Sequence, residues 1–365
     1  MRITFVLPSF PFGPVGGFRV VYEYANNFVA RGHKVAIVHP AVLPRKPLPK
    51  GLYKKARRLA RLILNPVLPP KPSKTINWQF IDSRVSMLYV PNLNERYIPD
   101  GDAVIATAWH TADYVYTYSS NKGEKFYFIQ SYEIWDGPTD RVDKTWLYPM
   151  HKIVIAKWLM EVGEKLGATG MVHIPNAIDH SKFKITRPIE SRPKRVAMLY
   201  SKALLKGSDD GIKALQIAKE RVPELEAVLF GTPPRGNIIP KWIEYHQDPP
   251  QRLLVEEIYN GSSIYLCPSW TEGWGLPSAE ASACGCAVVS TDNGGVRDYA
   301  IHNETALLSP PKDPFKLAEN LTHLLLDDEL RVRIARRGNE NIKNFTYERS
   351  TDVFEQYLIS KVKIN

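Results

Sequence analysis

Pro268-Ser-Trp-Thr-Glu-Gly-Trp-Gly-Leu-Pro-Ser-Ala-Glu280 lies between two apolar runs, Ile264-Tyr-Leu-Cys267 and Cys286-Ala-Val-Val-Ser290, which read as buried strands. Pro277 suits a first helical position and Gly285 a helix end, so the stretch between them reads as a short helix. Glu280 then falls in the first turn of that helix and Glu272 in the loop feeding it, with both carboxylates facing one crevice. The amides of Gly273, Trp274 and Gly275, together with the helix N-terminus, add positive potential there, which suits a phosphate. Glu280 is placed to accept two hydrogen bonds from a ribose diol, and Glu272 to do the same for a sugar ring. A nucleotide-sugar satisfies both. Either Glu alone reads better as an ordinary helix-start or loop acid. The pair, with two glycines and two tryptophans between strand and helix, is a costly way to build a plain connection.

Outward from this stretch, strands and helices alternate. Ile3 to Leu7 reads as a strand, Gly16 and Gly17 open a helix with the apolar face Phe18, Val21, Tyr22, Ala25, Phe28 and Val29, and Lys34 to Val38 is the next strand. Such a β-α-β unit with a glycine turn begins a doubly wound domain. Further strands are expected at Thr75 to Ile81, Ala103 to Thr107, Lys125 to Ile129 and Lys152 to Ile155, then an amphipathic stretch from Lys157 to Leu166. Arg195 to Tyr200, a helix from Lys206, and Ala227 to Phe230 start a second wound domain.

At 365 residues the chain has room for two domains, each with its own core. Its 44% hydrophobic and 24% charged residues are those of a soluble globular protein, and no run of roughly 18 apolar residues would span a membrane. Met1 to Leu7 has one basic residue and reads as a first strand rather than a signal peptide, which places the chain in the cytoplasm. Cys267, Cys284 and Cys286 lack the spaced partners of a metal site and read as reduced core residues. The net charge of +10 is local: ten basic residues and no acid lie between Pro44 and Thr75, and the rest of the chain carries 38 bases against 38 acids. Within this insertion, Leu52, Ala56, Leu59 and Ile63 would make an apolar stripe on a helix, with Lys54, Lys55, Arg57, Arg58 and Arg61 beside or opposite it. Residues 50–64 therefore suit the inner face of an anionic membrane, against the competing reading of a solvated loop. The run comes with no nucleic-acid recognition motif.

The run Pro-Ser-x-x-Glu-Gly-Trp-Gly-Leu-Pro-x-x-Glu-Ala from Pro268, followed by Ala283-Cys-Gly-Cys-Ala-Val-Val289 and Gly294-Gly295, resembles the family 4 glycosyltransferases. These are retaining enzymes of the GT-B fold, two Rossmann-like domains facing a cleft. The resemblance implies that Glu280 holds the donor ribose and Glu272 positions the transferred sugar, with Gly273, Trp274, Gly275 and Leu276 around them. It implies that Lys206 brings an ammonium to the diphosphate. The family pairs that Lys with an Arg a few residues earlier; here the Arg is missing and Lys202 is the nearest basic substitute. His110, at the carboxyl end of the strand Ala103 to Thr107, resembles the family's His near the sugar, or is a histidine hydrogen-bonded at a helix start. Gln130-Ser-Tyr-Glu133, with Trp135, is similar to a stretch in polysaccharide-building relatives, especially rhamnosyltransferase-like ones, and lines an acceptor groove or packs. His173-Ile-Pro-Asn-Ala-Ile-Asp179 resembles the linker into the second domain, and Phe345-Thr-Tyr-Glu-Arg349 the start of a helix that crosses back.

Gly13-Pro-Val-Gly16-Gly17 lets a backbone approach a phosphate or acceptor, as many turns do. A nicotinamide site would want an acid roughly 20 residues later, where this chain has His39-Pro40, and that argues against a dehydrogenase. Asp100-Gly-Asp102 precedes its strand and reads as a turn, so no metal is implied. The expectation is an acceptor domain over 1–180 with a basic insertion at 44–74, a donor domain over 181–344 and a returning helix over 345–365. The function expected is metal-independent, cofactor-free transfer of a sugar from a nucleoside diphosphate to a glycan or lipid-linked acceptor. A phosphorylase-like enzyme and a non-catalytic glycan-binding module are the alternatives.

Overall fold

The computed structural model describes residues 1–11, 13–43 and 76–362. The basic insertion at 44–74, with the stretch 50–64 expected to meet a membrane, lies outside the described residues. The chain forms two compact units: one comprises Met1–Ile155, Leu159–Ile174 and Tyr347–Asn365, the other Ala156–Trp158 and Pro175–Thr346.

The first unit is built on β1 (Arg2–Val6), α1 (Gly16–Ala30), β2 (Lys34–Pro40), β3 (Ser86–Val90), β4 (Ala103–Ala106), α2 (Trp109–Val115), β5 (Glu124–Ile129), α3 (Thr139–Trp146), β6 (His151–Val154), α4 (Lys157–Leu166) and β7 (Met171–His173). Its sheet runs β3-β2-β1-β4-β5-β6-β7, with every neighbour parallel. β1 and β4 are short apolar runs because both faces of a wound parallel sheet are covered: Phe5, Val6, Val104 and Ile105 are fully buried. Ile3 is in register with Val35 on one side and Ala103 on the other, so the winding direction reverses between β1 and β4. The crevice at the carboxyl ends of those two strands is where such sheets place ligands.

The strand expected at Thr75 to Ile81 is not formed: Thr75 lies outside the described residues, and residues 76–81 are irregular. Polar side chains of α1 bind this segment and its end instead. Asn26 Nδ2 donates to Phe80 O at 2.9 Å, Asn26 Oδ1 accepts from Asp82 N at 2.8 Å, and Glu23 Oε1 accepts from Gln79 Nε2 at 2.8 Å. The edge strand is β3, mostly half-buried, which the sequence reading passed over although Met87-Leu-Tyr-Val90 is a short apolar run.

The second unit contains β8 (Arg195–Leu199), α5 (Ser208–Arg221), β9 (Glu226–Gly231), β10 (Glu244–Gln247), β11 (Ile264–Cys267), α6 (Leu276–Ala283), β12 (Ala287–Thr291), β13 (Ala306–Ser309), α7 (Pro314–Leu326) and α8 (Asp328–Ile342). Its parallel sheet runs β10-β9-β8-β11-β12-β13 and reverses between β8 and β11. Val196, Met198, Leu229, Ile264, Leu266 and Val289 form the centre of its core with Leu215, Leu321 and Ile334 from the covering helices. A final helix, α9 (Tyr347–Lys361), belongs to the first unit.

Candidate active site

At the reversal point of the second sheet the loops leaving β8 and β11 come together. The chain leaving β8 makes a 3-10 turn, Leu204–Lys206, then passes through Gly207, a left-handed residue at φ 57°, into α5. Lys206 Nζ lies 2.7 and 2.8 Å from the two oxygens of Glu272, on the loop leaving β11. Burial alone would lower the Lys206 pKa, but the charge of Glu272 and its hydrogen bond outweigh that and raise it above the ordinary lysine value. Glu272 also accepts from Ser269 Oγ at 2.7 Å, and its own N–H donates to Asn293 O at 3.0 Å. The site thus holds a fixed cation beside a fixed anion.

The loop then enters α6 through Gly275, at φ 89°, which a side chain would strain and where a Cβ would lie 2.9 Å from Tyr299 Oη. The amides of Trp274, Gly275 and Leu276 have no backbone acceptor among the described residues, which leaves them free to meet an anion. Pro277 occupies the second helical position, not the first, because Leu276 already belongs to the helix. That places Glu280 in the second turn rather than the first. Its carboxylate is buried at 3% exposure and accepts from Tyr259 Oη at 3.2 Å. Burial first, and then the Glu280 charge, push the Tyr259 phenol well above its usual range, so it stays a donor. The Trp274 ring is core, 1% exposed and packed on Tyr299 and Phe345; only its backbone is available to a ligand. Gly273 O accepts from Trp158 Nε1 at 2.9 Å, which fixes the turn. Lys202 is exposed on the β8 loop.

Sequence reading missed Tyr259, Ser269, Asn293 and Trp158. Tyr259, Asn293 and Trp158 reach the motif through space; Ser269, inside the motif, was passed over because its hydroxyl has no role visible from spacing alone.

In the first unit, Gly16 and Gly17 begin α1, and Gln130, just past β5, ties it down: Nε2 donates to Gly17 O at 3.0 Å. A Cβ on Gly17 would meet Gln130 Nε2 at 3.3 Å. His110 stands in the first turn of α2, buried at 5% exposure, stacked on Trp109 at 3.8 Å and with Nε2 3.4 Å from Asp136 Oδ2. Glu133 Oε2 accepts from Trp109 N at 2.8 Å, a carboxylate on a helix N-terminus. Trp135 is 53% exposed. A recess beside His110 is also lined by Asp113, Tyr114 and Arg141. Asp100 is bound by Lys122 Nζ and Asp102 by the Arg2 guanidinium.

Taken whole, this is the GT-B fold. It superposes on sucrose-phosphate synthase from Thermosynechococcus elongatus with a TM-score of 0.71 over 98% of both chains at 16% identity. Against Anabaena HepE, solved in complex with UDP-glucose, the TM-score is 0.71 over 99% of this chain and 100% of that one at 15% identity. Residues 179–341 match the family described as Glycosyl transferases group 1, and Lys206, Glu272 and Glu280 lie inside that segment. A stretch of 99 residues, 27% of this chain, is 36% identical to D-inositol 3-phosphate glycosyltransferase of Corynebacterium efficiens and spans 23% of that relative's length.

Proposed function

We propose that this protein is a retaining glycosyltransferase. It takes a sugar from a nucleoside diphosphate held by the second unit and gives it to a glycan or lipid-linked acceptor held by the first, in surface polysaccharide or glycoconjugate synthesis. The observation that carries the reading is the Lys206–Glu272 pair beside the amides of residues 274–276, at the sheet's reversal point and within the glycosyl transferase group 1 segment. The UDP-glucose complex of HepE supports a nucleotide-sugar as donor.

In this mechanism the diphosphate draws Lys206 from Glu272, and the freed carboxylate accepts hydrogen bonds from the sugar's hydroxyls while Glu280 accepts those of the ribose. The bond from the anomeric carbon to the β-phosphate oxygen breaks with its electron pair on the phosphate. The acceptor oxygen bonds the same face of that carbon and passes its proton to the departing phosphate. Lys206 and the helix-start amides stabilise the developing charge. His110 holds the sugar, and Gln130, Glu133 and Trp135 belong to the acceptor side.

The test is a panel of nucleotide-sugars in a thermal-shift assay, where a donor at 100 times its dissociation constant adds about 2.7 kcal/mol. Transfer is then followed in excess chelator, with the anomeric configuration of the product read by NMR. No shift with any donor defeats the reading; activity restored only by added magnesium or manganese defeats metal independence; an inverted anomer defeats retention. The membrane part rests on the ten basic residues between Pro44 and Thr75: binding to anionic vesicles should fall with salt and vanish on deletion of residues 50–64.

A further inference from the structure

Lys206 rides on a single turn, and a lysine on so short a segment is placed only as well as the segment is held. Two ties hold it. At the base of the loop, Ser208 Oγ accepts from Ser201 N and donates to Ser201 O, both at 2.9 Å. From the side, Trp270 reaches across from the loop that carries Glu272. Its backbone N–H donates to Leu205 O at 2.8 Å, and its indole Nε1–H donates to Asp210 Oδ2 at 2.7 Å, in the first turn of α5. Lys312 Nζ stands 4.6 Å from the centre of the ring. The approach is close: a Cβ on Gly207 would fall 2.2 Å from Pro268 O and 3.2 Å from Trp270 Nε1.

We propose that Trp270 and Asp210 are positioning residues whose indole–carboxylate bond sets Lys206 Nζ against the donor's diphosphate. The proposal rests on the donor-site reading above. The Lys206–Glu272 contact joins the same two loops that the indole joins. Once a diphosphate draws Lys206 off Glu272, that contact no longer holds the loops in register, and the Trp270–Asp210 bond remains as the side-chain tie beside the backbone bond from Trp270 N–H to Leu205 O. The indole–carboxylate bond is directional and joins the Trp270 loop to the start of α5, just past the turn that carries Lys206. If Trp270 merely packed, its loss would lower stability without distinguishing one phosphate from two.

The experiment compares affinities for the diphosphate and the monophosphate of one nucleoside, using whichever of the uridine, guanosine and thymidine pairs the wild-type protein binds. Calorimetry is run on wild type, Trp270→Phe, Asp210→Ala and Asp210→Asn. Trp270→Phe and Asp210→Ala should each lose about tenfold in diphosphate affinity and keep their monophosphate affinity. Asp210→Asn, which retains an oxygen acceptor for the indole, should stay within about twofold of wild type. An unchanged diphosphate-to-monophosphate ratio in the first two variants overturns the positioning role, as does an equal loss for both ligands. If Trp270→Phe does not fold, the contrast between Asp210→Ala and Asp210→Asn decides alone. A wild-type protein that binds none of the three diphosphates overturns the donor-site reading itself, a result distinct from any change in ratio.

Discussion

Lys206 keeps its charge into alkaline solution because Glu272 stands against it. Its folded pKa lies above the ordinary 10.5, so the pair's contribution is complete below that value and is lost only as pH climbs through the raised one. Glu272→Ala removes the counter-charge and leaves burial, which acts the other way. Diphosphate affinity of this variant, followed by calorimetry across alkaline pH, should fall at a lower pH than in wild type, and its turnover at saturating donor should drop. Coincident alkaline limbs would detach Glu272 from the lysine's titration. Glu280→Ala should weaken nucleoside diphosphate binding by on the order of 1.5–3 kcal/mol, because a buried ribose diol loses a charged acceptor. Unchanged affinity would remove Glu280 from the ribose. These carboxylates were legible in the sequence because their spacing on one strand-turn-helix is local. Tyr259, which partners Glu280, was not: it is 21 residues away and meets the motif only after β11 and α6 have packed.

Among the elements, α6 depends on the backbone that starts it. Gly275 is at φ 89°, and its carbonyl accepts from Tyr299 Oη at 2.9 Å. An alanine would carry a left-handed strain of roughly 1–2 kcal/mol and a clash with that hydroxyl. Gly275→Ala should therefore lower stability in a urea titration by at least that amount and weaken diphosphate binding, since the helix-start amides move with the turn. A variant as stable as wild type would contradict the strain. Strands at sheet centres were legible because both faces are apolar: Ile264–Cys267 was delimited to the residue. The helix Lys157–Leu166 was equally legible from its amphipathic period. Periodicity failed at 76–81, where α1 side chains rather than a neighbouring strand bind Gln79 and Phe80, and by one residue at Pro277, since proline is tolerated anywhere in a helix's first turn.

At the scale of the molecule, α9 completes the first unit. Phe354 is fully buried among Phe5, Tyr24, Phe28 and Phe128, and Glu355 binds Arg31 and His33. Phe354→Ala should cost about 3–5 kcal/mol in denaturant unfolding, as truncated core aromatics do. A loss near zero would mean the helix is not part of that core. The division of the chain also has a consequence for biosynthesis. Residues Pro175–Thr346 are contiguous, whereas the first unit needs Tyr347 onward. Domains on a ribosome ordinarily mature in order from the amino end. Here the later-translated unit has its whole sequence in hand first, while the earlier one leaves Phe5, Tyr24, Phe28 and Phe128 without their covering aromatic until the final helix emerges. A nascent chain stalled short of α9 leaves that aromatic cluster without the ring that covers it.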